Sequence, residues 1–131
     1  MNLKVVFSIH PRTSGLINQY GIDVVNYPNI LFVPPVGYID SLSYQKEARA
    51  VITDSGGMQK EAYLFRKKCA LIRTETEWVE ALETGWTCLS YDRLDELQQV
   101  VDQPGGQFIE NLFGDGHTAE YILEILMKEL I

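Results

Sequence analysis

The chain is short of the residues from which many catalytic centres are built, with two histidines and two cysteines among its 131 residues. Neither His10 nor His117 has a second histidine or a cysteine at ligand spacing, so no zinc-like cluster is legible. No Ser/His/Asp or Cys/His grouping marks a nucleophile either. Cys69 and Cys88 lack CxxC spacing and fall in strand-like runs, which argues against a disulfide framework and for buried thiols in a reducing cytoplasm. Positive charge is also scarce. Eleven Lys and Arg against 18 Asp and Glu give a net charge of -7, a field that repels a nucleic-acid backbone or an anionic membrane surface. A small, compact anion held by local dipoles stays open as a partner. No apolar run reaches the ~18 residues that span a bilayer, and Met1 to Lys4 lead straight into a strand rather than into a signal peptide's apolar segment. A cytoplasmic protein without nucleic-acid or membrane partners is expected, and no motif calls for a cofactor.

What the sequence does have is a core's worth of apolar residues, 46% hydrophobic against 22% charged. That is the composition of one globular domain, expected to span residues 1–131. The run "LKVVFSI" (residues 3–9) reads as a buried strand ending in "HPRTSG". Residues 13–20 carry a weak helical pattern stopped by Gly21, and "NILFV" (29–33) is a second strand closed by Pro34-Pro35. Residues 38–48 read as a helix with Ile39, Leu42 and Ala48 on one face. Strands follow at "AVIT" (50–53), "CALI" (69–72) and "TCLS" (87–90). Residues 102–116 read as a long loop before an amphipathic helix, 118–130, with Ile122, Ile125, Leu126 and Leu130 on one side. Strands alternating with helical segments imply βαβ crossovers, and so a mostly parallel, Rossmann-like α/β sheet flanked by helices.

Ligands of such sheets collect beyond the carboxyl ends of the strands, which singles out "HPRTS", "PPVGY", "TDSGG" and "RTETE". At "TDSGG" two glycines open a helix, where the backbone can approach a ligand closely and the first amides have no partner within the helix. A phosphate fits Ser55, Gly56 and Gly57. Glu61, four residues on, shares a face with Gly57 about 6 Å along the axis. A carboxylate there cannot hold phosphate but accepts hydrogen bonds from a diol. The same residues also fit a plain helix start, with Ser55 as N-cap and Glu61 as a solvated charge. Met58, Ala62 and Phe65 fall at core spacing on the opposite side. Tyr38 stands either beside a flat base at the rigid "PPVG" turn or in the core. Arg73 closes a strand where an anion would lie, while Thr74 and Glu77 have the spacing of a capping box for a helix ending at Gly85. Trp78, Ala81 and Leu82 fall at core spacing. His10 either meets a ligand or merely ends its strand.

Residues 53–86, "TDSGGMQKEAYLFRKKCALIRTETEWVEALETGW", resemble the signature region of the non-hydrolysing UDP-N-acetylglucosamine 2-epimerases. "GDGHTAEYILEIL", "HPRT" and "PPVGYIDSL" fall in register with that family too, so the likeness covers nearly the whole chain. The resemblance implies a GT-B-type two-domain enzyme of which this chain is the C-terminal, nucleotide-binding half. It places the diphosphate on Ser55, Gly56 and Gly57, the ribose hydroxyls on Glu61, and the uracil against residues 35–38. The implied reaction removes the proton at sugar C2 with loss of UDP, then adds UDP back on the other face. The family's acid/base carboxylates lie on the other domain, so the chain alone is expected to be inactive, with a second copy or the missing N-terminal domain as partner.

The resemblance also implies that the domain's first, central strand is missing. Residues 3–9 are then expected to pair directly with residues 50–53, unless another chain fills the gap. Two departures concern the sugar. Trp78 stands where the commoner pattern has arginine, and Ser41 where many members have an aromatic that packs on the base. "KEAYLF" and "TEWVE" resemble the branch acting on UDP-diacetamido-uronic acids and related polysaccharide precursors. His10 matches a histidine near an effector site in some members. A GT-B glycosyltransferase domain and a non-catalytic binding module are the rival readings.

Overall fold

A computed structural model of the chain describes residues 3–130. The chain divides into two compact units, Met1–Ser43 and Tyr44–Ile131. The first unit holds β1 (Val5–Ser8), α1 (Pro11–Gln19), a 3-10 turn (Val24–Asn26) and β2 (Ile30–Val33). Helix α2 (Tyr38–Glu47) crosses the division. The second unit continues with β3 (Ala50–Thr53), α3 (Gly56–Leu64), β4 (Lys68–Leu71), α4 (Val79–Glu83), β5 (Thr87–Leu89), a 3-10 stretch (Tyr91–Glu96), α5 (Leu97–Asp102) and α6 (Thr118–Glu129).

Every ladder is parallel, as the alternation of strands and helices demands. The strands form two sheets, β1-β2 and β3-β4-β5. The expected pairing of residues 3–9 with residues 50–53 is therefore not made. Val5 to Ser8 pair with Ile30 to Val33 instead, and β3 is an edge of its own sheet. All four residues of β1 are exposed. The reading of residues 3–9 as a buried strand is corrected on that ground.

The second unit is built the other way. Side chains alternate across a strand, and β4 puts Cys69 on one face and Ala70 on the other. Cys69 joins Val51 and Ala62 of α3, with Met58 packed alongside. Ala70 joins Val100 and Val101 of α5, with Ala50, Cys88 and Leu97 around them. Asp102 closes α5, and residues 103–116 are irregular up to α6 but not loose. Tyr63, 1% exposed, donates its hydroxyl to the Ile109 carbonyl at 2.9 Å and accepts the Ile109 N–H at 2.7 Å. Its ring stacks on Phe108 with centroids 5.0 Å apart. The apolar stripe of α6 is uncovered, Ile125 being 60% and Leu130 80% exposed.

Candidate functional site

The turn Thr53-Asp54-Ser55 carries the chain from β3 into α3. Thr53 Oγ1 accepts the Ser55 N–H at 3.0 Å. Ser55 is the N-cap: its Oγ accepts the Met58 N–H at 3.4 Å, and its carbonyl accepts the Gln59 N–H at 3.1 Å. The Gly56 and Gly57 amides remain, and among the described residues they donate to nothing. Two unpaired donors thus stand at the positive end of the helix dipole. The cap and anion readings of Ser55 prove compatible, because capping uses an oxygen lone pair and leaves the hydroxyl proton to donate.

Gly56 is tightly hemmed. A Cβ there would stand 3.3 Å from Trp78 Nε1 and 3.5 Å from Glu77 Oε2. Gln59, fully buried, fastens that neighbouring loop to α3. Its Oε1 accepts the Thr76 hydroxyl at 2.7 Å, its Nε2 donates to the Trp78 carbonyl at 3.3 Å, and the Trp78 N–H donates to Thr76 Oγ1 at 3.1 Å. Trp78 is therefore a half-buried wall beside Gly56 rather than a core residue. Its indole N–H is unpartnered among the described residues, and Lys60 Nζ lies 3.9 Å from the ring centroid.

Helix α4 starts at Val79 with no side-chain cap, so Thr74 and Glu77 form no capping box. Glu77 turns to Arg73, whose Nη1 and Nη2 donate to its two carboxylate oxygens, each at 3.0 Å. This fork raises the Arg73 guanidinium above its ordinary pKa and holds the Glu77 carboxyl below its own. The Arg73 charge is thus already answered beside the glycines. Glu61, one turn beyond Gly57, is half-buried and accepts the Gln45 Nε2–H at 2.6 Å.

Ser55, Gly56, Gly57, Glu61 and Arg73 all lie in the second unit, and His10 and Tyr38 in the first. His10 is exposed and caps α1, its Nδ1 accepting the Arg12 N–H at 3.2 Å. Tyr38 opens α2, 65% exposed, so its core reading fails. Sequence reasoning missed Gln45 and Gln59. The signal for Gln59 was its spacing of three and four from Ala62 and Tyr63, which puts an amide on the buried face. A shallow hollow lined by Glu80, Glu83, Thr84, Gln107, Ile109 and Leu112 shares no residue with the glycine turn, and the two carboxylates at it disfavour an anion.

Comparisons with known proteins identify the family. A family model described as UDP-N-acetylglucosamine 2-epimerase matches residues 1–127. A UDP-N-acetylglucosamine 2-epimerase homolog from Methanococcus maripaludis is 33% identical over 129 residues, 95% of this chain and 36% of that protein. A UDP-2,3-diacetamido-2,3-dideoxy-D-glucuronate 2-epimerase from Pseudomonas aeruginosa is 35% identical over 127 residues, 95% of this chain and 35% of that protein. The crystal structure of the Methanocaldococcus jannaschii UDP-GlcNAc 2-epimerase in complex with UDP-GlcNAc and UDP superimposes with a TM-score of 0.81 at 30% identity, over 95% of this chain and 36% of that one. The chain thus spans about a third of the length of these relatives. Among the described residues no helix is long and apolar enough to cross a membrane. With its parallel strands flanked by helices and a family match along nearly its whole length, the chain belongs to the UDP-N-acetylglucosamine 2-epimerase family.

Proposed function

We propose that this chain is the UDP-binding half of a nucleotide-sugar 2-epimerase, the second unit gripping the diphosphate. The observation that carries the reading is the pair of unpartnered Gly56 and Gly57 amides at the start of α3, one turn before a carboxylate held in place by a neutral donor. Amides and dipole suit an anion, and Glu61 suits the ribose diol attached to it. Elimination of UDP across C1 and C2 builds negative charge on the departing diphosphate. Donors fixed before the reaction stabilise that charge without reorganising. Ser55, Gly56 and Gly57 supply them, and the Trp78 indole N–H adds a neutral fourth where the commoner family pattern has arginine. Proton transfer at C2 falls to carboxylates on the family's other domain. Family membership favours this chemistry over glycosyl transfer.

Calorimetry with UDP tests the reading. The chain binds UDP, and Glu61→Gln weakens binding about tenfold, as expected when a charge-assisted hydrogen bond becomes a neutral one. No heat of binding, or equal affinity in Glu61→Gln, overturns it. A second reading concerns the sugar. UDP-GlcNAc is the sugar that most of the relatives point to, with a UDP-diacetamido-uronic acid as the alternative raised by the similar likeness to the diacetamido-glucuronate enzyme, and competition between the two for this chain decides it. The free thiols of Cys69 and Cys88 suit a cytoplasmic location.

A further inference from the structure

Gln45, the neutral donor to Glu61, sits on α2 with only 3% of its surface exposed. Its Nε2 donates to Glu61 Oε2 at 2.6 Å, while its Oε1 is buried and has no partner among the described residues. Exchanging the two amide atoms would set a carbonyl oxygen against a carboxylate oxygen, so the hydrogen-bond network fixes the orientation. A buried carbonyl left unpaired is a defect that folded chains rarely keep without a reason. Packing supplies none, since methionine has nearly the same length and shape and carries no orphaned oxygen. What glutamine alone provides here is a neutral donor that occupies one lone pair of Glu61 and pins its rotamer. A lysine or arginine would pin it too, but would set a full positive charge against the carboxylate and compete with incoming hydroxyls.

We infer that Gln45 is a positioning residue that holds the Glu61 carboxylate towards a nucleotide's ribose and thereby sets a preference for ribo- over 2′-deoxyribonucleoside diphosphates. The inference rests on the UDP reading of the α3 turn. Glu61 Oε2 is engaged by Gln45, and Oε1 is the acceptor left for the diol. An unpinned Glu61 samples several rotamers, and a 2′-hydroxyl then gains little over a 2′-hydrogen.

The test measures dissociation constants of the chain for UDP and 2′-deoxy-UDP by calorimetry, in the unmodified protein, Gln45→Met, Glu61→Gln and the double variant. Gln45→Met keeps or raises the melting temperature, because the orphaned oxygen is gone, yet lowers the preference for UDP over 2′-deoxy-UDP about tenfold. In the Glu61→Gln background the same substitution leaves that ratio unchanged, because Gln45 acts only through Glu61. An unchanged ratio in Gln45→Met, or an equal fall in both backgrounds, overturns the assignment. Should Gln45→Met fail to fold, Gln45→Asn withdraws the amide by one methylene and is read against the same outcomes. Failure of UDP to bind the unmodified chain overturns the UDP reading itself, whereas normal UDP binding with an unchanged ratio overturns the role of Gln45 alone.

Discussion

Strands β1 and β4 are both four residues long and parallel to their neighbours, yet β4 is buried at every position and β1 exposed at every position. Composition does not explain this, since Val-Val-Phe-Ser is at least as apolar as Lys-Cys-Ala-Leu. Layers do. β4 lies between β3 and β5 with α3 on one face and α5 on the other, and even Lys68 is drawn in, its ammonium donating to the Gly85 carbonyl at 2.6 Å. Among the described residues β1 pairs with β2 alone, and Val6 is 48% exposed. An apolar, β-branched run makes a strand, whereas a core needs elements on both sides of it. The glycine turn leaves the end of β3 in the covered sheet, so its donors stand on the better-packed part of the molecule, the fixed geometry that the proposed diphosphate grip would need.

Truncation should separate the two strands most clearly. Leu71, fully buried in β4, becomes alanine at about 3 kcal/mol because its atoms leave a cavity the sheet cannot close. Phe7, 40% exposed in β1 and set against Phe32 at 5.9 Å between ring centroids, becomes alanine at about 1 kcal/mol. Urea denaturation of both variants measures the gap, and equal losses would show that β1 is covered in solution.

The cover over β4 can be tested next. The Tyr63 hydroxyl satisfies both backbone groups of Ile109, so Tyr63→Phe orphans a donor and an acceptor at once, at about 2 kcal/mol. The loss should appear as a lower melting temperature together with faster amide exchange across residues 105–113. A drop in melting temperature with unchanged exchange there would mean that Tyr63 does not anchor this segment.

Much of this architecture was legible in the sequence because short apolar runs punctuated by Gly and Pro are local signals. The strand at 50–53 and the helix starting at Tyr38 fall where the pattern puts them. Burial was not legible for β1, because it depends on layers that no local pattern reports. Thr74 and Glu77 misled for a related reason. Their spacing matches a capping box, but the Arg73 guanidinium offers Glu77 two charge-assisted bonds, which outweigh one bond to a helix amide. At the glycine turn, residue types that serve a phosphate also serve a cap, and every helix start leaves its first amides unpaired, so the two uses share one local pattern. Gln45 escaped notice because polarity on a helix reads as exposure until a neighbour is seen to need its amide.

The smallest effect expected from the contrast is a slope against pH. Burial on β4, followed by the nearby Cys88, pushes the Cys69 thiol from its ordinary 9.0 up to about 12. Below pH 9 both folded and unfolded chains keep this proton, and the contribution to stability is complete. Between pH 9 and 12 the unfolded chain releases the proton while the folded chain retains it, so stability falls by at most about 1.4 kcal/mol per pH unit from this group. Other groups titrate in the same range, which makes the difference between the unmodified chain and Cys69→Ala the informative quantity. Cys69→Ala costs stability at pH 7 through its cavity, but its stability declines less steeply from pH 9 to 10. Parallel curves for the two proteins would mean that the thiol ionises in the folded sheet, and that β4 is no drier than β1.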